Sequence, residues 1–298
     1  MSSPITNIVV LMLENRSFDN LLGWLYDSQN NPPFNKVPPN QTFEGLDNNP
    51  APNVWQGKSY PPVHGTDMTQ PNPDPNELYA NMYMQMFNPD PFVIPNPIPD
   101  GPGLTAAATM TGYMNDYATA KDVDSAQVPN IMNCFRPADV PVISALANAY
   151  AVCDHWYSSV PSQTYTNRSF VHAGTASGYV NNVIGAHFWD TFTNNTTTIY
   201  NLLQNANISW GIYYGGDEFL CQARNNQLKL SPYKDTNFLP FSQFLTDAKN
   251  GTLPSYVFIE PNFLASFIHG PENDEHPQAA PFQLHGPSNV LFGEQLLA

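Results

Sequence analysis

The sequence predicts an α/β protein built on a largely parallel, doubly wound sheet. Three features carry that expectation. Short runs rich in β-branched and aromatic residues, at 7–13, Trp210–Tyr214 and Tyr256–Glu260, read as strands. Segments with helical spacing lie between them, and strands that alternate with helices pair in parallel through crossover connections. The length of 298 residues, with 42% apolar, fills the core of one α/β domain that carries insertions.

The elements follow in order. Residues 7–13 read as a buried strand, short and β-branched after the turn-prone Ser2-Ser3-Pro4. No basic residue precedes this run and no small-residue cleavage site follows it, so it reads as a strand and not as an export signal. The polar turn Glu14-Asn15-Arg16-Ser17-Phe18-Asp19 comes next. Residues 25–105 are rich in Pro and Asn within a chain of 30 prolines, about twice the usual share. Prolines at that density exclude helix interiors and sheet ladders, so the stretch reads as one long irregular insertion. Within it, Tyr79–Phe87 reads as a short helix with an aromatic and Met face packed on a core. Asp139 is expected to cap a helix that starts at Val140-Pro141. Ile143, Leu146, Ala147 and Tyr150 then fall on one face, expected to be buried. Residues 151–156 read as strand-like, Tyr200 to Leu203 as helical, and 242–249 as a helix stopped by Asn250-Gly251. Ser288 is expected to cap a last helix through Val290, Leu291 and Leu296. It has no terminating Gly, Pro or basic residue and reads as cut short.

Charge excludes several functions. Lys+Arg is 10 and Asp+Glu is 25, a formal net charge of −15. Nucleic-acid binding needs clustered cations, so no nucleic-acid partner is expected. Nor is the chain expected to adhere to anionic lipid by charge. No apolar run reaches the roughly 18 to 20 residues of a transmembrane segment. The three cysteines, Cys134, Cys153 and Cys221, lack CxxC spacing. They allow one disulfide and a free thiol, or none, and buried small apolar residues are the simpler reading.

Three motifs carry chemistry. Glu14-Asn15 closes the first strand, where open α/β sheets bind ligands, and offers two hard oxygens to a divalent cation. The same pair also suits a turn or a helix cap. In the run 160–168, a helix that starts near Thr164 places Arg168 one turn on and on the same face. A hydroxyl at a helix N-terminus above a guanidinium makes a phosphate cradle; the plain alternative is a capping threonine and a surface arginine. Among the histidines, His64, His155, His172, His187, His269, His276 and His285, the most pointed is His276 in Asn273-Asp274-Glu275-His276-Pro277. Acids and proline there suggest an exposed polar loop whose imidazole binds or protonates a phosphoryl oxygen. There is no Gly-x-Ser-x-Gly elbow, Walker loop or Rossmann glycine pattern.

Together these motifs resemble one family. Glu14 through Asp19 is similar to the opening signature of the phosphoesterase family that contains non-specific phospholipases C and related acid phosphatases. Thr164 through Arg168 resembles its second signature, Thr-x-Pro-Asn-Arg. Cys134-Phe135, Pro141-Val142, Cys153-Asp154-His155-Trp156, Phe258-Ile259-Glu260-Pro261 and the 273–277 run also look like family sequence. The resemblance covers nearly the whole chain, 1–298. It implies an alkaline phosphatase-like fold, a mixed, mostly parallel sheet sandwiched between helices, and here incomplete at the C-terminus. Carried over by position, it implies Thr164 as the nucleophile, Glu14 and Asn15 as metal ligands, and Asn15 also beside the phosphate. His276 would steady phosphoryl oxygens or protonate the leaving group. Arg168 and His155 would lie around the substrate, Arg168 holding the loop through hydrogen bonds. Two departures stand out. Thr166 occupies the family's proline position, and the later signature Asp-Glu-x-x-Gly-x-x-Asp-His, which supplies further acidic metal ligands, is absent. The chain is therefore expected to be an N-terminal piece of a longer enzyme.

The resemblance implies a metal-dependent phosphoric ester hydrolase of phospholipase C type with a divalent metal ion as cofactor. Two alternatives stand beside it: an acid phosphatase acting on soluble phosphomonoesters, and a non-catalytic phosphate-ester-binding protein that lacks the C-terminal ligands. The family's habit points to an extracytoplasmic location, although the sequence shows no signal peptide.

Overall fold

The computed structural model describes residues 5–26, 37–46, 50–94, 107–185, 190–277 and 287–298. His187 and His285 lie outside them, as do parts of the 25–105 stretch. In chain order the elements begin with β1 (Ile8–Leu11), α1 (Phe18–Leu22), β2 (Asn53–Trp55), β3 (Lys58–Tyr60), β4 (Val63–His64) and α2 (Tyr79–Phe87). Next come α3 (Tyr113–Tyr117), β5 (Asn133–Cys134), α4 (Pro141–Ala149), α5 (Thr164–Ala173), α6 (Ile199–Asn205) and β6 (Trp210–Tyr214). The last are α7 (Gln222–Asn226), β7 (Phe238–Pro240), α8 (Phe241–Asn250), β8 (Tyr256–Glu260) and α9 (Val290–Leu297). The chain divides into two compact units, one of Met1–Glu14 with Ser162–Asp274, the other of Asn15–Pro161 with Glu275–Ala298.

The first unit holds a four-stranded sheet in the order β1-β8-β6-β7, and every neighbouring pair is parallel. Its register lines up Val10, Phe258, Ile212 and Phe238 in one row across all four strands. Leu11, Ile259, Tyr213 and Leu239 make the next row. Successive strand residues point to opposite faces, so the two rows feed two cores. The first row packs with Tyr200 of α6, Ala223 of α7 and Leu230. The second packs with Phe241 and Phe244 of α8. Helices thus flank both faces of a parallel sheet, as the alternation of strand and helix predicts. One expectation fails. β1 is not buried along its length: Ile8 and Val9 are exposed, and among the described residues β1 is an edge strand paired with β8 on one side.

Local sequence explains the helices of this unit. Thr198 and Asn201 form a reciprocal capping box at the start of α6. Gly251 ends α8 at φ +68, a backbone angle that favours glycine. α5 begins at Thr164, with Gln163 in the capping position.

In the second unit, the Pro/Asn-rich stretch is more ordered than its composition suggests. β2 and β3 pair antiparallel through Gln56-Gly57, both at positive φ, the backbone of a tight hairpin turn. α2 spans Tyr79–Phe87 as predicted, and Met84 of its apolar face is buried. Asn81 and Gln85 of α2 both donate to the buried Asp116 of α3, at 2.8 Å each. Burial holds that carboxyl above its ordinary range, against the pull of these donors.

Four expectations for residues 139–156 and 288–297 need correction. Asp139 does not cap α4. Its carboxylate accepts from the Arg136 backbone N–H and sits 2.7 Å from His64 Nε2. The first turn of α4 is capped instead by Glu294 of α9, which accepts from the N–H groups of Val142 and Ile143. The face of Leu146 and Tyr150 is exposed, and Ser144 is the buried residue of α4. Residues 151–156 form no strand. The last helix is capped by Asn289, while Ser288 Oγ donates to the His276 carbonyl. All three cysteines are free thiols, Cys134 and Cys221 buried and Cys153 exposed.

His172, on α5 in the first unit, is fully enclosed between Tyr200 and Phe258. Burial, aided by Arg168, pushes its pKa down to about 3. The folded state therefore resists protonating it while the unfolded chain takes a proton near pH 6.5. Its contribution to stability is complete above pH 6.5 and is lost as pH falls towards 3, by up to about tenfold in the folding equilibrium per pH unit. Urea unfolding from pH 7.5 to 4.5 should show His172→Phe losing less stability on acidification than the wild-type chain.

Candidate functional site

The candidate residues fall into a set in each unit. In the second unit, Asn15 sits at φ +66, a left-handed conformation that asparagine tolerates better than most residues. Its side-chain nitrogen donates to Glu77 and lies 2.7 Å from His276 Nε2. His276 Nδ1 is 3.7 Å from Asp74, and its Nε2 is 3.8 Å from Glu77. Ligand atoms of Asp74, Glu77 and His276 all lie within 4.8 Å of one another, and all three residues are half-buried. Arg16 draws these segments together. Its Nε donates to the Glu275 carbonyl at 2.7 Å and its Nη1 to the Gln70 carbonyl at 2.8 Å. The neighbouring Asn15, 74–77 and His276 are thereby fixed at three points of the chain. The loop at 273–277 is not the exposed loop expected: Asp274 and Glu275 are buried, each within its own unit. Burial pushes the Glu275 carboxyl up to about 7, with Glu294 adding to the shift and Arg16 opposing it.

Asp74 and Glu77 were not legible in the sequence. They sit in Asp74-Pro75-Asn76-Glu77, inside the proline-rich stretch where no periodicity marks a site. The only available signal was two acids three residues apart.

Two carboxylates, an imidazole and a carboxamide suit a divalent cation that accepts oxygen and nitrogen. A half-turn of the Asn15 amide exchanges its nitrogen for its oxygen, which is the donor a cation needs. The donor chemistry of these four residues therefore fits the divalent metal that the sequence implies.

In the first unit, Thr164 is the first residue of α5 and is largely buried. The first turn of α5 is tied down on several sides. The Tyr165 N–H donates to Asn182 at 2.8 Å, and Asn167 donates to the carbonyls of Ser162 and Gln163. Thr166, in the place where the family signature has proline, donates its hydroxyl to the Gln163 carbonyl at 2.8 Å. A hydrogen bond thus does there what a ring would do, and the turn stays fixed.

Arg168 is neither a surface residue nor open to solvent. It is 1% exposed, and its Nη2 donates to the Met12 carbonyl at 2.6 Å and approaches Glu14 Oε2 at 3.3 Å. The guanidinium lies 4.8 Å over the ring of Phe263. Its field also reaches the fully buried Glu260, whose carboxyl burial holds above its ordinary range and Arg168 pulls down. Glu260 accepts from the N–H groups of Gln222 and Ala223 at the start of α7. Arg168 therefore holds the end of β1.

His155 is exposed. Its ring contacts are Glu44 at 2.6 Å and Asp154 at 3.0 Å, not the Asp74, Glu77 and Asn15 set. The hydrogen bond to Asp154 raises its pKa. His64 and His269 are paired with Asp139 and Asp217, and His172 is enclosed in the sheet core.

The sequence model of the Phosphoesterase family matches residues 5–285. Similar curated proteins come from Arabidopsis thaliana. Non-specific phospholipase C3 is 33% identical over 93% of this chain and 49% of its own length. Non-specific phospholipase C4 is 34% identical over 93% of this chain and 47% of its own. Non-specific phospholipase C5 is 34% identical over 93% and 49%. The chain spans about half the length of the curated relatives it matches.

The buried charges of the first unit make a stability prediction. Arg168→Met removes the cation and leaves Glu14 and Glu260 without it, and breaking a buried pair from one side costs about 3–5 kcal/mol. Urea unfolding should show a loss of that order.

Proposed function

The chain belongs to the phosphoesterase family, and on that premise we propose that it is a metal-dependent phosphoric ester hydrolase of phospholipase C type. The observation that carries the reading is the meeting of Asn15 with His276, 261 residues apart in the chain, beside two carboxylates. The family match runs through both units, and we take them as parts of one phosphoesterase domain.

Asp74, Glu77, His276 and Asn15 are the proposed cation donors, and Glu14 is kept as a further ligand on the family resemblance. A divalent cation there supplies charge neutralisation to phosphoryl oxygens. The remaining chemistry belongs to the chain. Thr164 is the proposed nucleophile. As the first residue of α5, its hydroxyl sits at the positive end of the helix dipole, which favours negative charge and eases its ionisation. Its oxygen attacks phosphorus in line, the bond to the leaving oxygen breaks, and that oxygen takes up a proton. Water then cleaves the phosphothreonine and restores the hydroxyl. Arg168 acts on position by fixing α5 one turn beyond Thr164. His276 was also a candidate proton donor, but two carboxylates within 4 Å favour the ligand role. The proposed substrate is a phosphodiester of phospholipid type, after the names of the similar proteins.

Turnover of p-nitrophenylphosphocholine and p-nitrophenyl phosphate with added Mn²⁺ or Zn²⁺ tests this reading. Thr164→Ala should lose at least about a thousandfold in kcat, with cation binding intact. A Thr164→Ala chain that keeps its turnover removes threonine from the reaction. Asp74→Asn with Glu77→Gln should weaken calorimetric Mn²⁺ binding by about tenfold or more, and unchanged binding would place the cation elsewhere.

A further inference from the structure

The face of α4 expected to be buried instead lines an open apolar groove of about 410 Å³. Ile143 and Leu146 of α4, Phe18 and Leu22 of α1, and the aromatics Tyr150 and Trp156 line it. Tyr150 is 83% exposed and Trp156 81%. Among the described residues of the lining, polar side-chain atoms belong only to Tyr150, Trp156 and Cys153.

We propose that this groove docks the chain on a zwitterionic lipid surface. Acyl groups meet Phe18, Leu22, Ile143 and Leu146, and Tyr150 and Trp156 lie at the headgroup level. Two observations select lipid over a protein partner. The aliphatic walls carry no hydrogen-bonding side chain. A peptide brings N–H and C=O groups that need partners, and hydrocarbon brings none. The two lining aromatics have an apolar body and a polar tip, the residue types that settle at a bilayer interface. The charge selects the lipid class: the chain carries −15, and the acids Glu44 and Asp154 are bonded to each other's segment beside Cys153. An anionic surface is repelled, and a neutral zwitterionic one is not. The α1 whose Phe18 and Leu22 line the groove starts three residues after Asn15 of the candidate cation cluster. The inference rests on the phospholipase C reading for its purpose, since an enzyme acting on lipid gains from being held at the interface.

Flotation with phosphatidylcholine vesicles, alone and with phosphatidylserine added, is the test. The wild-type chain should float with phosphatidylcholine, and phosphatidylserine should weaken the binding. Tyr150→Ser with Trp156→Ser should reduce partitioning about ten- to a hundredfold, with an unchanged urea midpoint and unchanged turnover of p-nitrophenyl phosphate. Brominated phosphatidylcholine should quench wild-type fluorescence more than that of Trp156→Phe. The proposal is overturned if the wild-type chain does not float, if it floats only with phosphatidylserine, if the double variant floats as well as wild type, or if the substitutions abolish self-association and not lipid binding. Absent turnover of soluble ester in a chain that floats would count against the enzyme reading and leave the docking surface standing.

Discussion

A guanidinium with no access to water must be neutralised by the protein around it, and Arg168 imposes that requirement on the first unit. Its charge is met by Glu14 at the end of β1 and felt by Glu260 at the end of β8. Glu260, buried in turn, is satisfied by two N–H groups at the start of α7. Arg168 thus ties α5 to the end of β1, and Glu260, within its field, ties the end of β8 to the start of α7. Desolvated charges held this way stabilise little in net terms, but they admit few alternative arrangements. The position of Thr164, one turn before Arg168, follows from that clamp.

Arg16 plays a comparable part in the second unit with two backbone carbonyls and the Asn20 amide oxygen in place of carboxylates. It bonds to segments near residues 20, 70 and 275, and its fork geometry lets one side chain serve all three. The adjacent Asn15, in its left-handed conformation, then meets His276 and Glu77. Both arginines lie in the two signatures that mark the family, Arg16 directly after Asn15 and Arg168 four residues after Thr164. Each signature therefore pairs a group proposed for chemistry with an arginine that positions it. The groove beyond α1 extends this logic, since the helix that follows Asn15 also lines it.

Much of the first unit could be read directly. Trp210–Tyr214 and Tyr256–Glu260 are strands because continuous apolar runs suit a sheet covered on both faces. α5 starts at Thr164 and α8 stops at Gly251, where local chemistry is decisive. Failures occurred where distant residues decide. Glu294 caps α4 from 152 residues beyond Val142, which no local rule at Asp139 can anticipate. The periodic face of α4 gives a correct helix and a wrong burial, because periodicity reports a face and not what covers it. Asp74 and Glu77 join the candidate site through Arg16, a contact across the chain that composition conceals.

The proposed chemistry turns on one covalent event at one oxygen. Acid-quenching the metal-loaded chain during turnover of p-nitrophenylphosphocholine, followed by peptide mass spectrometry, reads that event directly. The account predicts phosphocholine or phosphate on the peptide that carries Thr164, at that residue. Turnover with no modified peptide, or with the modification on another residue, would contradict it.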